Sequence, residues 1–128
     1  MSDYKKLKAQ LDRWFKKYIR MRDSHDGYGK CISCGKLIQV GPNWQAGHYI
    51  NSTYLSLRWD EKNVHGQCKR CNHFLSGNLL EYRRGLIKKY GKEVLQYLEI
   101  KKFNKFKTSV FALKALIDIY KKKVKEYA

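Results

Sequence analysis

The chain has 128 residues, of which 43% are apolar, and it carries a formal net charge of +17. This length predicts one domain, and a single proline with no low-complexity run predicts that most of it is folded. No stretch approaches the ~18 uninterrupted apolar residues of a transmembrane helix, and the basic amino terminus lacks an apolar signal core. We therefore expect a cytoplasmic protein that does not associate with membranes.

Positive charge is spread over the whole chain. Lys and Arg outnumber Asp and Glu in each of the segments 1–30, 31–71, 72–91 and 92–128. A basic tail on a neutral domain is therefore excluded. The distribution is typical of a protein that binds a polyanion, and nucleic acid is the expected partner. The alternative is a lysine-rich surface that only keeps the protein in solution.

The first predicted elements follow the hydrophobic periodicity. Residues 4–22 have apolar side chains at three- and four-residue steps, which predicts an amphipathic helix. The glycine-containing segment 23–30 is predicted to be a loop. Short strands are predicted at 37–40 and 44–50, joined as a hairpin by the Pro-Asn turn between them. Residues 51–67 show no period and are predicted to be a long ordered loop.

Three helices are predicted in the carboxy-terminal half. The first runs from about residue 74 to 90 and ends at Gly91, although the sequence Ser-Gly-Asn at 76–78 leaves a later start open. Helices at 92–102 and 108–126 follow. Their apolar faces are expected to pack on the rest of the domain, and a dimer interface is the alternative.

The cysteines form two C-x2-C pairs. The chain has four cysteines, Cys31, Cys34, Cys68 and Cys71, and 33 residues separate the two pairs. Two-residue spacing lets both thiolates of a pair bind one tetrahedral ion, and two pairs complete a shell of protein ligands. The pattern therefore predicts a structural Zn²⁺. Disulfides or a redox pair are the alternatives, which a cytoplasmic chain with two matched pairs disfavours.

A group of polar side chains lies between the two pairs and just after them. Its members are His48, Arg58, Asp60, Glu61, Asn63, His65, Asn72 and His73. Hydrolysis of a phosphodiester requires a base that takes a proton from water, a divalent cation that neutralises charge and a group that orients the base. Histidine can be the base, and oxygen ligands suit Mg²⁺ or Mn²⁺. The set is compatible with a nuclease, although a lone histidine on a strand is more often a packed or surface residue.

The order of three of these residues resembles a known nuclease motif. His48, Asn63 and Asn72, with Asn72 directly after a C-x2-C pair, resemble the HNH (His-Me finger) motif in its zinc-containing form. The blocks "CISCG", "WQAGHY", "LRWDEKNVHGQCKRCN" and "SGNLLEYRRGLI" resemble, in that order, the NinG/Rap family of lambdoid phage recombination endonucleases over roughly residues 15–100. The resemblance implies a structure-specific DNA endonuclease that cleaves branched intermediates, such as Holliday junctions and D-loops, inside the bacterial host cell.

The resemblance also implies a fold. It is an α+β fold with a small zinc-stabilised ββα-metal core, flanked by amphipathic basic α-helices. The core is expected at 31–91, the amino-terminal helix and loop at 1–30 and the carboxy-terminal helices at 92–128.

Carried over by position, the resemblance implies a role for each motif residue. His48 would be the general base, Asn63 would steady the active-site loop, and Asn72 would bind a catalytic Mg²⁺ or Mn²⁺. Many HNH nucleases have an acidic or imidazole ligand directly before the base, where this chain has Gly47. The candidates for the missing ligand are Gln45, Asp60, His65 and His48 itself.

Basic residues near this core are candidate DNA contacts. Arg83, Arg84 and Lys88 either bind DNA or form the solvated face of their helix. Arg58 either contacts phosphate or pairs with one of the two acidic residues that follow Trp59. Symmetric cutting of a four-way junction needs two active sites, so a homodimer is expected. The alternative function is a non-catalytic zinc-containing module that binds nucleic acid and recruits other factors.

Overall fold

The computed structural model describes residues 2–106 and 108–127. Its first helix, α1, runs from Asp3 to Arg22, as the periodicity predicts. The side chain of Ser2 caps α1 by accepting a hydrogen bond from the N–H of Lys5 at 3.3 Å. The buried residues of α1 are Leu11, Phe15, Tyr18 and Ile19.

The segment after α1 forms a hairpin where a loop was predicted. Strand β1 (Ser24–His25) pairs antiparallel with β2 (Tyr28–Lys30). Asp26 and Gly27 connect them with φ angles of +52° and +82°, the left-handed conformation that a two-residue hairpin turn uses. The Asp-Gly pair marks the turn in the sequence, but strands this short show no alternation that would reveal them.

The strands predicted as one hairpin belong to two different sheets, so that prediction is wrong. Strand β3 (Leu37–Gln39) pairs with β2, whereas β4 (Trp44–His48) pairs antiparallel with β5 (Val64–Cys68). In the β4–β5 hairpin, Trp44 is opposite Cys68 and His48 is opposite Val64. The close partner in the sequence is therefore not the partner in the structure.

The predicted loop 51–67 contains regular structure, which corrects that prediction as well. It includes the one-turn helix α2 (Leu55–Arg58) and most of strand β5. All five residues of β5 are buried. A strand covered on both faces loses the alternation of polar and apolar residues by which strands are recognised, and the sequence VHGQC is not apolar enough to mark it otherwise.

The helix predicted from about residue 74 starts later. A π-helical turn spans Arg70–Phe74, and α3 spans Leu79–Tyr90. Between them, Ser76, Gly77 and Asn78 have φ angles of +49°, +95° and +43°, which no α-helix accepts. The later start that the Ser-Gly-Asn sequence left open is correct, and the helix ends at Gly91 as predicted.

The last two helices, α4 (Glu93–Lys102) and α5 (Val110–Tyr127), lie close to their predicted positions. The apolar face of α5 packs against α1, which confirms that it packs within the chain. The residues of α5 buried in this contact are Leu113, Ile117, Tyr120 and Val124. Within residues 2–106 and 108–127, no helix is both long and apolar enough to cross a membrane.

The β4–β5 hairpin lies between two apolar clusters. Ala46 and Val64 of the hairpin belong to the α1–α5 cluster. The other cluster joins α2, α3 and α4 through Leu57, Tyr82, Leu86, Val94 and Leu98. The result is a small mixed α+β fold, in agreement with the predicted class, in which both faces of the hairpin are covered by helices.

Candidate metal centre and polar site

The four cysteines come together in space. Their sulfur atoms all lie within 4.8 Å of one another, and the Sγ atoms of Cys34 and Cys68 are 3.8 Å apart. A tetrahedral Zn²⁺ with Zn–S bonds of about 2.3 Å places its sulfur ligands about 3.8 Å apart. The four thiols could therefore hold a zinc ion without rearrangement of the fold.

Local backbone geometry builds each pair. The N–H of Gly35 donates to the carbonyl of Cys31 at 2.9 Å, and Gly35 has a φ of +74°, which closes the first pair into a tight turn. In the second pair, the N–H of Cys71 donates to Cys68 Sγ at 3.4 Å, and the Asn78 amide donates to Cys71 Sγ at 3.5 Å. Hydrogen bonds therefore fix the local geometry of each pair.

The thiols differ in how readily they ionise. Burial raises the pKa of Cys31, but the backbone N–H groups of Cys68, Cys34 and Ser33 outweigh it, so the net shift is downward. Burial raises the pKa of Cys34, Cys68 and Cys71. Zinc binds cysteine as the thiolate, so its positive charge would offset the crowding of four sulfur atoms that disfavours their ionisation.

Asn63 holds the loop between β4 and β5. It is fully buried, and its amide nitrogen donates to the carbonyls of Ile50 and Leu57 at 2.9 and 3.1 Å. Its side-chain oxygen accepts from the N–H of Ile50 at 2.8 Å. One carboxamide therefore joins the start of the loop to α2, which fixes the residues that follow His48.

His48 is the last residue of β4, and its ring is half-buried. Its Nε2 lies 2.9 Å from the carbonyl oxygen of Arg58. A carbonyl can only accept, so Nε2 carries the proton in this contact and Nδ1 keeps a lone pair. Burial lowers the pKa of His48 and nearby Lys16 adds to this, against the opposing effect of the Arg58 carbonyl. The imidazole is therefore neutral at pH 7.

Three carboxamides meet on the opposite face of β4, around Gly47. A Cβ atom at Gly47 would lie 1.9 Å from Gln67 Oε1 and 2.8 Å from Asn72 Oδ1. The Asn72 amide also donates to Gln45 Oε1 at 2.8 Å. Packing of these side chains requires glycine here, and it brings Asn72 directly against the residue that precedes His48.

Gln67 is the residue that sequence reasoning missed. Its side chain is fully buried, and its amide nitrogen donates to Ser33 Oγ at 2.8 Å and to the Gly77 carbonyl at 2.6 Å. Its Oε1 accepts no hydrogen bond and points at Gly47. A buried amide oxygen without a partner is costly unless another group binds it. A glutamine opposite Gln45 was the available signal, but it needs the correct strand pairing.

His48 and Asn72 lie on different faces of the hairpin. By strand alternation His48 shares the face of Ala46, which packs on α1, whereas Asn72 covers the face of Gly47. A base and a metal ligand that act on one phosphate would face the same position, and these two side chains do not. They approach each other only through Gly47, at the end of β4, where the strand pairing also ends.

The other candidate ligands have partners elsewhere. Asp60 accepts from Tyr97 Oη at 2.6 Å and from Lys101 Nζ at 2.5 Å. Burial raises the pKa of Asp60, but these two partners outweigh it and leave the pKa lowered. The carboxylate is therefore bound by two residues of α4, and it does not contact Asn72.

His65 is enclosed by two tyrosines. Its Nδ1 lies 3.3 Å from Tyr82 Oη and its Nε2 lies 2.7 Å from Tyr90 Oη. Tyr82 Oη donates to the Gly47 carbonyl at 2.7 Å, so it accepts from His65, and Tyr90 then donates to His65. Burial lowers the pKa of His65 to about 3. Both ring nitrogens are used, and the histidine ties α3 to the hairpin.

Arg58 pairs with neither Asp60 nor Glu61, so that alternative is wrong, whereas its contact with phosphate stays a prediction. Its guanidinium forms a bidentate pair with Asp12 of α1, with distances of 3.0 and 2.6 Å. Glu61 instead accepts from Tyr18, Tyr120 and Lys123. The sequence could not show this, because Asp12 is distant along the chain and adjacent only in the fold.

The basic residues of α3 are exposed. Arg84 and Lys88 line a cleft of about 760 Å³ between α3, the β1–β2 hairpin and the first cysteine pair. Arg84 Nη1 donates to Glu81 Oε1 at 2.7 Å. Arg83 is exposed but does not line this cleft. All three side chains are exposed, and Arg84 and Lys88 share the cleft while Arg83 lies outside it.

The fold and the cysteine cluster define a class: a small mixed α+β protein in which four cysteines that could bind zinc join a β-hairpin to a π-helical turn. The chain belongs to the NinG family, since the family described as "Bacteriophage Lambda NinG protein" matches residues 1–128. This confirms the NinG part of the predicted resemblance. No solved structure matches the chain.

The relatives are phage proteins with the printed name "Protein ninG". That of Escherichia phage 933W is 39% identical over 110 residues, covering 85% of this chain and 52% of the relative. That of Escherichia phage lambda is 38% identical, covering 85% and 51%. That of Salmonella phage P22 is 42% identical over 83 residues, covering 64% and 38%. The chain thus spans about half the length of the first two relatives.

Proposed function

We propose that this chain is a metal-dependent DNA endonuclease of the HNH type. The observation that carries the proposal is the contact of the Asn72 carboxamide with Gly47, the residue directly before His48. It brings the carboxamide that follows β5 against the residue before the neutral His48 imidazole at the end of β4, although the two side chains lie on different faces of the hairpin. A strand, a loop fixed by an asparagine, a second strand and a helical turn are the elements that such a site needs.

His48 is the proposed general base. Its Nε2–H donates to the Arg58 carbonyl, which fixes the ring and leaves Nδ1 to take a proton from water. Its lowered pKa keeps that nitrogen unprotonated at neutral pH. Asn63 is the proposed loop-fixing residue, because its hydrogen bonds hold the segment that contains the Arg58 carbonyl.

A catalytic Mg²⁺ or Mn²⁺ is part of the proposal. Asn72 and Gln67 would hold it, with Gln45 beside them, and the unpartnered Gln67 oxygen fits a cation. The ion would neutralise charge on the phosphate and on the leaving oxygen. Three neutral amides bring no negative charge, so the phosphate itself would supply the charge that the ion requires.

Branched DNA is the proposed substrate, with Holliday junctions and D-loops as the forms that the family resemblance implies. The net charge of +17 supports a polyanionic partner. Symmetric cutting of a four-way junction would use a homodimer, and the setting would be the cytoplasm of the bacterial host. A structural Zn²⁺ on the four cysteines would support the hairpin and the π-helical turn.

The second candidate is a non-catalytic zinc-containing module that binds nucleic acid and recruits other factors. One observation favours it. No carboxylate among the described residues contacts Asn72, and the His48 ring lies toward α1. A binding module needs only the basic surface and the cysteine cluster.

Cleavage of a labelled four-way junction separates the two functions. We expect strand cleavage with Mg²⁺ or Mn²⁺ and none when Ca²⁺ replaces them; chelators are avoided because they would also remove zinc. His48→Ala is expected to reduce the rate by about 10²- to 10⁴-fold, the usual contribution of a general base. Asn72→Ala is expected to reduce it at subsaturating Mg²⁺.

The control is His25→Ala, because the His25 side chain is 92% exposed and lies on the β1–β2 hairpin. It should cleave as the wild type does. Junction binding by all variants, measured by fluorescence anisotropy in Ca²⁺, should be unchanged. Binding without cleavage by the wild type under both metals would establish the module instead. A linear duplex with the same arms tests whether the branch is required.

A further inference from the structure

A groove of about 620 Å³ lies between β3 and the π-helical turn, next to the cysteine cluster. Leu37 and Ile38 form one side, and Phe74 and Leu75 form the other. Phe74 is 69% exposed and Leu37 is 70% exposed. Large apolar side chains that are exposed side by side are typical of an interaction surface, whereas single exposed apolar residues are common on any protein.

The charged side chains at the rim of this groove are cationic, and three of the clustered cysteines, Cys34, Cys68 and Cys71, also line it. Lys36, Lys69 and Arg70 line it, and none of the described residues that line it is acidic. The cleft beside α3 differs, because Asp23 and Glu81 lie among its cations. A partner of the groove must therefore be apolar or aromatic in its centre and negative at its edge. A nucleotide, with a base and a phosphate, has this composition.

The segment that carries Phe74 is held rigidly. The N–H of Gly77 donates to the Cys71 carbonyl at 2.8 Å, and the Gly77 carbonyl accepts from Gln67 at 2.6 Å. Ser76 and Asn78 have positive φ angles, which residues other than glycine rarely adopt. These bonds fix the turn that presents Phe74 to solvent, so a ligand would meet a preformed surface.

We propose that this groove binds unpaired nucleotides of a DNA strand, with a base stacked on Phe74 and phosphates on Lys69 and Arg70. The inference takes DNA as partner from the proposed function. Duplex DNA is disfavoured as the partner, because its base faces are covered and none is available to stack on Phe74. Phe74 and Asn72 belong to the same π-helical turn. A groove for unpaired nucleotides selects DNA that is opened near the branch.

The test compares two DNA probes in Ca²⁺, where no cleavage is needed. One is a duplex with a central unpaired bubble that contains 2-aminopurine, and the other is the fully paired duplex. We expect tighter binding of the bubble and quenching of 2-aminopurine. Phe74→Ala should weaken bubble binding by about 5- to 100-fold, the range for one stacked base, with duplex binding unchanged. Phe74→Trp should retain the preference and Phe74→Leu should not.

The matched control is Phe111→Ala, because Phe111 is 82% exposed and lies on α5, away from the groove. It should bind both probes as the wild type does. Equal loss on both probes, or no loss with Phe74→Ala, would overturn the inference. So would a Phe74→Ala variant that loses self-association in light scattering while keeping its preference for the bubble, because the groove would then be a contact between copies. Failure of cleavage with an intact bubble preference would refute only the nuclease.

Discussion

At the scale of single residues, Gly47 shows how a sequence departure can have a packing cause. The position before the proposed base usually carries a metal ligand in the resembled motif, and here it carries no side chain. A Cβ atom at this position would lie 1.9 Å from Gln67 Oε1, because the carboxamides of Gln67 and Asn72 occupy the space that a side chain would need. In the proposed site, the metal ligand that Gly47 lacks is supplied by Gln67 of the neighbouring strand and by Asn72 of the π-helical turn.

His65 gives a prediction of pH dependence. Its pKa of about 3 in the fold lies below the ordinary value of 6.5, so the unfolded chain binds more protons between these values. The free energy of unfolding should therefore fall as the pH drops below 6.5, by up to about 1.4 kcal/mol per pH unit. Above 6.5 the histidine is neutral in both states and adds no slope.

The measurement is urea denaturation from pH 7.5 to pH 5 with zinc present. His65→Gln should be less stable at pH 7.5 and should lack this part of the slope, so its disadvantage should shrink as the pH falls. Protonation of the cysteines affects both proteins alike and cancels in the difference. Parallel curves for the two proteins would contradict the prediction.

At the scale of elements, the cysteine cluster joins pieces that have little else to hold them. Strands β1 to β3 contain two or three residues each, and the π-helical turn contains five. Such short elements bury too little apolar surface to be stable alone. The centre formed by the four thiols connects the residues after β2, the end of β5 and the π-helical turn.

Removal of zinc should therefore loosen these elements first. We expect a chelator, or Cys68→Ser, to lower the free energy of unfolding by several kcal/mol, because metal binding is coupled to folding. Hydrogen exchange should increase most in residues 64–78 and least in α1, whose buried face packs on α5. Added Zn²⁺ should restore the wild type but not the variant. Uniform exchange over the whole chain would contradict this order.

At the scale of the whole molecule, basic side chains greatly outnumber acidic ones. Most acidic side chains near the hairpin are paired, as in Asp12 with Arg58, Asp60 with Lys101 and Glu61 with Lys123. The remaining lysines and arginines far outnumber the remaining acids. The surface therefore keeps a positive potential.

Binding of DNA should accordingly depend steeply on salt. The logarithm of the binding constant should fall linearly with the logarithm of salt concentration, with a slope of about −0.9 per phosphate contacted. Replacing Arg83, Arg84 and Lys88 together by Gln should reduce the steepness by about 2 to 3 if all three contact phosphate. Fluorescence anisotropy titrations at several salt concentrations measure it.

The control replaces Lys114, Lys121 and Lys122 of α5 by Gln, which changes the net charge equally. A general effect of charge would reduce the slope alike in both triple variants. A larger reduction of the slope in the α3 variant than in the α5 variant assigns the phosphate contacts to α3. Equal slopes for the two variants would show that α3 does not contribute specific phosphate contacts.

Long helices and the cysteine cluster could be predicted from the sequence. Helix α1 and the stripe of α5 follow a period of 3.6 residues over many turns, and C-x2-C spacing fixes the ligands of a pair locally. Strand pairing could not be predicted, because 15 residues separate β4 from β5, the strand that pairs with it. The wrong hairpin followed from preferring the nearest strand.

The candidate site divides in the same way. Its residue types, His48, Asn63 and Asn72, and the loop-closing position of Asn63 are visible in the chain order. The contacts of the site residues are not visible in the chain order. Gln67 contacts Gly47, and Arg58 pairs with Asp12, only because segments distant in sequence pack together in the fold.

The sequence by itself determined the positive charge, the four thiols and the helical periodicity, since each depends on composition or on spacing within a few residues. Only the tertiary structure decided which strand pairs with β4, which face His48 occupies and which oxygen beside Gly47 lacks a partner. The physical reason is that these depend on contacts between distant segments, whose free energy is shared over the whole core and is not encoded at any one position.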